Sequence, residues 1–82
     1  MEKEFIITIF SENTVGLLSQ ITTVFTHRNV NIESFTASES AIEGIYKHTI
    51  IVKNDADKVA NLVKQIEKKI DVLKVFCYTP NE

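Results

Sequence analysis

Glycine and proline are scarce in this 82-residue chain, which holds two of the first and one of the second. Both the dinucleotide fingerprint and the phosphate-binding loop need several glycines where backbone approaches phosphate, so both are excluded. No linker or low-complexity segment appears, and Pro80 lies in the tail "TPNE". One cysteine, Cys77, can form neither an internal disulfide nor a thiolate metal centre, and it is expected to pack in a strand as a small hydrophobe. Apolar runs stay well short of the roughly 18 residues a membrane span needs. The acidic start "MEKEFIITIF" has no signal-peptide cleavage pattern. A cytoplasmic protein without membrane contact is therefore expected. An excess of basic charge is also missing. The net charge is −2 with lysines scattered along the chain, which gives no field for nucleic acid.

What remains is an ordinary globular composition, 44% hydrophobic and 24% charged. It fits a single domain over residues 1–82 whose core is small enough for a partner surface to matter. In the first apolar run Phe5, Ile7 and Ile9 mark one face and Ile6, Thr8 and Phe10 the other, a strand inside a sheet that is either buried on both faces or covered by a second protomer. After a polar break, Leu17, Leu18, Ile21, Val24 and Phe25 fall at helical spacing, and that helix closes near Arg28-Asn29. "VNIESFTASES" and "GIYKHTIIVK" read as strands joined by "AIEG". "NDAD" supplies caps for a second helix with the stripe Val59, Leu62, Val63, Ile66 and Ile70. "DVLKVFCYT", rich in β-branched and aromatic residues, reads as the last strand.

The resulting order, β-α-β-β-α-β, predicts an α+β ferredoxin-like sandwich: a four-stranded antiparallel sheet with both helices on one face. Right-handed crossovers put the first and third strands at its centre. The uncovered face then carries Ile6, Phe10 and either Tyr46 or Tyr78. That is more apolar surface than a lone monomer exposes, so self-association through a sheet edge or this face is expected.

Two stretches carry candidate chemistry. In "SENTVGLLSQ" the amide of Asn13, the close approach permitted at Gly16 and the free N–H groups of the following helix suit a carboxylate. The simpler alternative is that Asn13 or Thr14 only caps the helix. In "NVNIES", Asn31 precedes Ile32 and reads either as a ligand group or as the turn residue after the helix. In this topology the two stretches lie at opposite ends of the sheet. One ligand can meet both asparagines only across a homodimer. His27 and His48 are expected to be solvated or packed, with no serine, cysteine or carboxylate spaced to make either a nucleophile's base. Glu39 and Glu43 read as solvated. An RNA-recognition module would need more strand aromatics and a basic surface, and an acylphosphatase-like hydrolase an arginine in the loop "SENTVG".

Taken together, "ENTVGLLSQITTVF", "RNVNIESF" and "DVLKV" resemble the ACT domain of acetolactate synthase small (regulatory) subunits, over nearly the whole chain. The resemblance implies a non-catalytic subunit of branched-chain amino acid biosynthesis. Such a subunit binds the catalytic (large) subunit, raises its activity and makes it sensitive to valine. Thiamine diphosphate, Mg²⁺ and FAD would reside on that partner, with no cofactor in this chain. The effector would lie between two ACT domains whose sheets join side by side. Asn13 and Gly16 would hold its charged groups, Leu17 and Leu18 would wall its side chain, and Asn31 and Ile32 would come from the other protomer. Leucine or isoleucine could replace valine, because a pocket wall separates methylenes by only about 1–3 kcal/mol. An amino-acid-sensing ACT module on a different metabolic enzyme is the alternative. Many family members continue into a C-terminal domain, whereas this sequence stops at Glu82, as a short form or a piece of a longer protein would.

Overall fold

Strand alternation decides which side chains enter the core. In the computed structural model, which describes residues 2–12 and 16–80, the first strand β1 runs Lys3–Glu12. The next elements are α1 (Leu17–His27), β2 (Ile32–Glu39), β3 (Ile45–Asn54), α2 (Ala56–Glu67) and β4 (Val72–Tyr78). All pairings are antiparallel and the strand order is β2-β3-β1-β4, so β1 and β3 are central as the crossover rule requires.

Ile7 and Ile9 of β1, Ile50 and Val52 of β3 and Val75 of β4 share one face and are buried. Ile21, Val24 and Phe25 of α1 and Val59, Leu62 and Ile66 of α2 join them in one cluster. Each fully buried aliphatic side chain contributes roughly 1.5–3 kcal/mol. At the helix ends, Arg28 Nε donates to Gln65 Oε1 at 2.8 Å.

The opposite face holds Ile6, Phe10, Ile51, Phe76 and Tyr78 by register. Phe76 and Tyr78 are 47% and 49% exposed, and Phe10 meets Phe76 edge-on at 6.1 Å. Tyr78 thus sits on the open face as one of the two expected tyrosines. Tyr46 does not, because it pairs with Ser11 and so has the parity of the helix-covered face.

Two further expectations are corrected. Ile70 is 94% exposed rather than part of the α2 stripe. The helix stops at Glu67, where Lys68 and Lys69 N–H groups turn back to Gln65 and Ile66 carbonyls, one turn before Ile70 would reach the core side. Cys77 is exposed rather than packed, because on edge strand β4 the core reaches Val75 and not Cys77. Asp55 takes the N-cap position of α2, as read from "NDAD", with its N–H held by Asn54 Oδ1 at 2.8 Å, but its side chain makes no cap hydrogen bond to the helix.

Candidate functional site

The first candidate stretch leaves the sheet at Glu12, whose N–H bonds the Asp71 carbonyl at 3.1 Å. Asn13, Thr14 and Val15 lie outside the described residues, and with them the expected role of Asn13. The N-cap position of α1 is Gly16, with no side-chain cap hydrogen bond, and the capping alternative read for Asn13 or Thr14 falls on residues outside the described ones. Gly16 has φ 92° and ψ −9°, a left-handed conformation in which a side chain is strained. A Cβ built there would meet nothing within 4 Å, so the backbone angle alone demands glycine. Gln20 N–H to Gly16 O, at 3.1 Å, is the bond that closes the first helical turn. Ahead of it the N–H groups of Leu17, Leu18 and Ser19 have no intrahelical acceptor. No acidic side chain occupies that turn, and a helix start of this kind favours negative charge. Leu17 is taken into the core at 3% exposure, while Leu18 stands 52% exposed.

At the other end of α1 the chain turns through Asn29, the single described non-glycine residue with positive φ, at 58°. Val30 N–H bonds Phe25 O and Asn29 N–H bonds Thr26 O, both at 3.0 Å. This is a Schellman stop, completed by Val30 and Phe25, which are both buried. The turn that sequence reading offered to Asn31 therefore belongs to Asn29. Asn31 is left exposed at the entry to β2, next to Ile32, which packs partly against the core. Between α1 and the start of β2 lies a cleft of about 270 Å³, lined by Thr22, Phe25, Thr26, Asn29, Val30, Asn31 and Ile32. A second, polar cleft of about 420 Å³ shares Asn29 and Asn31 with it and adds Lys53, Asn54 and Lys58. Sequence reading singled out Asn31 and Ile32 of these residues. It missed Thr22, Thr26 and Asn29, although the helical spacing of 22 and 26 with Phe25 was available as a signal.

The two stretches are far apart within one chain. Glu12 pairs with Ile45, whereas Ile32 pairs with Val52, which faces Phe5. Phe5 and Glu12 are separated by seven steps along β1, or about 23 Å of strand. An amino acid is far smaller than that gap. The opposite-ends expectation thus holds in the observed register.

A contact that sequence reading did not anticipate lies just before the loop. Ser11 Oγ and His48 Nε2 are 3.0 Å apart, joining central strands through residues 37 positions apart. Ser11 has the inward parity of Ile7 and Ile9, and His48 that of Ile50, so period two puts both on the helix-covered face while only the register brings them together. Ser11 is wholly buried and His48 is 7% exposed. Enclosed in this way, the pair cannot reach a substrate and serves as packing, as expected for His48. Burial pushes the His48 pKa down, and its Nδ1 has no hydrogen-bond partner. Glu39 and Glu43 are exposed, as expected. Among the described residues there is no group of three or more His, Cys, Asp or Glu able to hold a metal, and no helix long and apolar enough to cross a membrane.

Comparison with known proteins places this geometry in a family. A family model described as the AHAS small subunit-like ACT domain matches residues 7–74. A probable acetolactate synthase small subunit from Methanothermobacter thermautotrophicus is 40% identical over 70 residues, covering 85% of this chain and 42% of that protein. The acetolactate synthase small subunit of Bacillus subtilis is 42% identical over 71 residues, covering 85% of this chain and 41% of its own length. The chain thus spans less than half the length of these curated relatives. Among solved structures, the acetolactate synthase small subunit of Thermotoga maritima superposes with a TM-score of 0.85 at 29% identity, over 95% of this chain and 48% of that one. The ACT domain of a GTP pyrophosphokinase from Chlorobium tepidum shares the fold, with a TM-score of 0.79 at 24% identity over 95% of this chain and all of its own. By fold and by sequence, this chain belongs to the AHAS small subunit-like ACT domain family.

Proposed function

We propose that this chain is a regulatory ACT domain of acetolactate synthase, itself non-catalytic, which binds a branched-chain amino acid between two copies and confers feedback control on the catalytic subunit. Valine is the effector the resemblance favours, and thiamine diphosphate, Mg²⁺ and FAD belong to the catalytic partner. Family membership supports the regulatory role. The observation that carries the binding mode is the separation of a donor-rich helix end at Gly16 from an unused amide at Asn31 by about 23 Å of strand.

A second copy removes that separation. Strand β2 is a sheet edge with an unpaired backbone ladder. Antiparallel pairing of two β2 edges sets Ile32 of one protomer level with the far end of β2 in the other. That far end, Glu39, pairs with Tyr46, which pairs with Ser11, the strand end that feeds the Gly16 turn. Asn31 of each protomer would thereby come level with the end of β1 that leads to Gly16 in its neighbour. The carboxylate would take the helix N–H groups, the two asparagines the polar edges, and Leu18 with Ile32 the aliphatic side chain.

The test is reconstitution with an acetolactate synthase catalytic subunit. Acetolactate formation is expected to rise when the chain is added and to fall on addition of valine. The Asn31→Ala variant is expected to keep the activation while valine binding weakens by about 1–3 kcal/mol, the loss of a hydrogen bond to a charged group. A rate indifferent to both chain and valine overturns the proposal.

A further inference from the structure

Resting on that reading, we infer that Thr22 and Thr26 of α1 select the α-ammonium group of the effector, so that the α1–β2 cleft takes its cationic and aliphatic end. Thr22 Oγ1 donates to the carbonyls of Leu18 and Ser19, at 3.1 and 3.0 Å. Thr26 Oγ1 donates to the Thr22 carbonyl at 3.0 Å. A hydroxyl has one proton and two lone pairs. With the proton committed to the helix, each oxygen can meet a ligand only as an acceptor. Both residues line the 270 Å³ cleft beside Asn29 and Asn31, whose amide oxygens are further acceptors. Its apolar lining is Phe25, Val30 and Ile32.

Such a cleft matches an ammonium next to a branched alkyl group and offers no cation to a carboxylate. The adjoining polar cleft adds Glu2, Glu33 and Asp55 against Lys53 and Lys58, a field that does not oppose a positive charge. The Gly16 end is the reverse, a helix start rich in N–H donors. One zwitterion laid across two protomers therefore has each charge facing its complement. The α-amino group, as well as the alkyl chain, becomes a determinant of recognition.

Thr23 provides an internal control. It makes the same kind of bond to the helix, Oγ1 to Ser19 O at 2.8 Å, but does not line the cleft. Titration calorimetry on the wild-type chain compares L-valine, L-leucine and L-isoleucine with 3-methylbutanoate, which is valine without its amino group. At least one amino acid is expected to bind, with 3-methylbutanoate roughly tenfold weaker or worse. Thr22→Val and Thr26→Val are expected to lose about tenfold for the amino acid and almost nothing for 3-methylbutanoate. Thr23→Val and Thr22→Ser should bind as wild type, and thermal melts report whether each variant folds. Wild-type affinity in both cleft variants overturns the inference and leaves the proposed function standing. Equal wild-type affinity for valine and 3-methylbutanoate also overturns it, whatever the variants do. Failure of the wild-type chain to bind any of the three amino acids overturns both.

Discussion

Gly16 and His48 show how single positions are fixed by different physics. Gly16 is demanded by its φ of 92° and by nothing around it, since a Cβ there meets open space. Gly16→Ala is therefore expected to cost about 1–2 kcal/mol, the penalty of the left-handed conformation, and no steric surcharge. Urea denaturation measures it; a loss beyond about 3 kcal/mol would reveal crowding the geometry does not contain. His48 is held instead by burial. Its folded-state pKa lies below the usual value of 6.5, so the neutral ring is the form the fold prefers. The unfolded chain then binds the proton more readily than the folded one, and stability rises with pH across that interval. Stability from this residue is complete above about pH 6.5 and is lost progressively below it. Comparing urea midpoints at pH 7.5 and 5.5 should show a loss in the wild type that His48→Leu does not share. Parallel losses in both would place the titrating group elsewhere.

The elements were legible in the sequence to the extent that their apolar periods were complete. Both helices and all four strands follow their stripes, yet the ends depend on hydrogen bonds that periodicity does not encode. The α2 stripe runs on to Ile70, but the carbonyls of Gln65 and Ile66 capture the next N–H groups and stop the helix at Glu67. At the end of α1, two asparagines two residues apart were equally good turn formers. Only the backbone bonds of Val30 and Asn29 show that Asn29 makes the turn and Asn31 is spare. Asn29→Val should therefore destabilise by about 1–2 kcal/mol, because a β-branched residue resists positive φ. Asn29→Gly should stay within about 1 kcal/mol of wild type, since glycine adopts that angle freely. Chemical denaturation of the two variants decides it; equal losses would mean that the Asn29 side chain, and not its backbone angle, holds the stop.

At the scale of the whole molecule, the sheet length is the fact with consequences. Under the proposed binding mode, two half-sites at opposite ends of β1 cannot share a ligand within one chain, and effector binding and self-association are then expected to be linked equilibria. Saturating valine is expected to tighten the dimer, and dilution of the protein is expected to weaken apparent valine affinity. Sedimentation equilibrium with and without valine measures this directly. An association constant indifferent to saturating valine would mean that each protomer binds alone. The exposed Phe76 and Tyr78 lie on the opposite face from the helices, away from the α1–β2 cleft, so the dimer proposed at β2 leaves that apolar surface uncovered.

The sequence by itself determined the order of elements, the central place of β1 and β3 and the stretches "SENTVGLLSQ" and "NVNIES" as candidates. Apolar period, crossover handedness and residue chemistry are local or nearly so, and they survive in a linear string. Tertiary structure alone decided which asparagine was spent on the turn, that Ser11 meets His48, that Tyr46 turns inward, and that two threonines border a cleft. Those outcomes depend on register and on competition among hydrogen-bond partners, where a shift of one residue exchanges the faces of a strand.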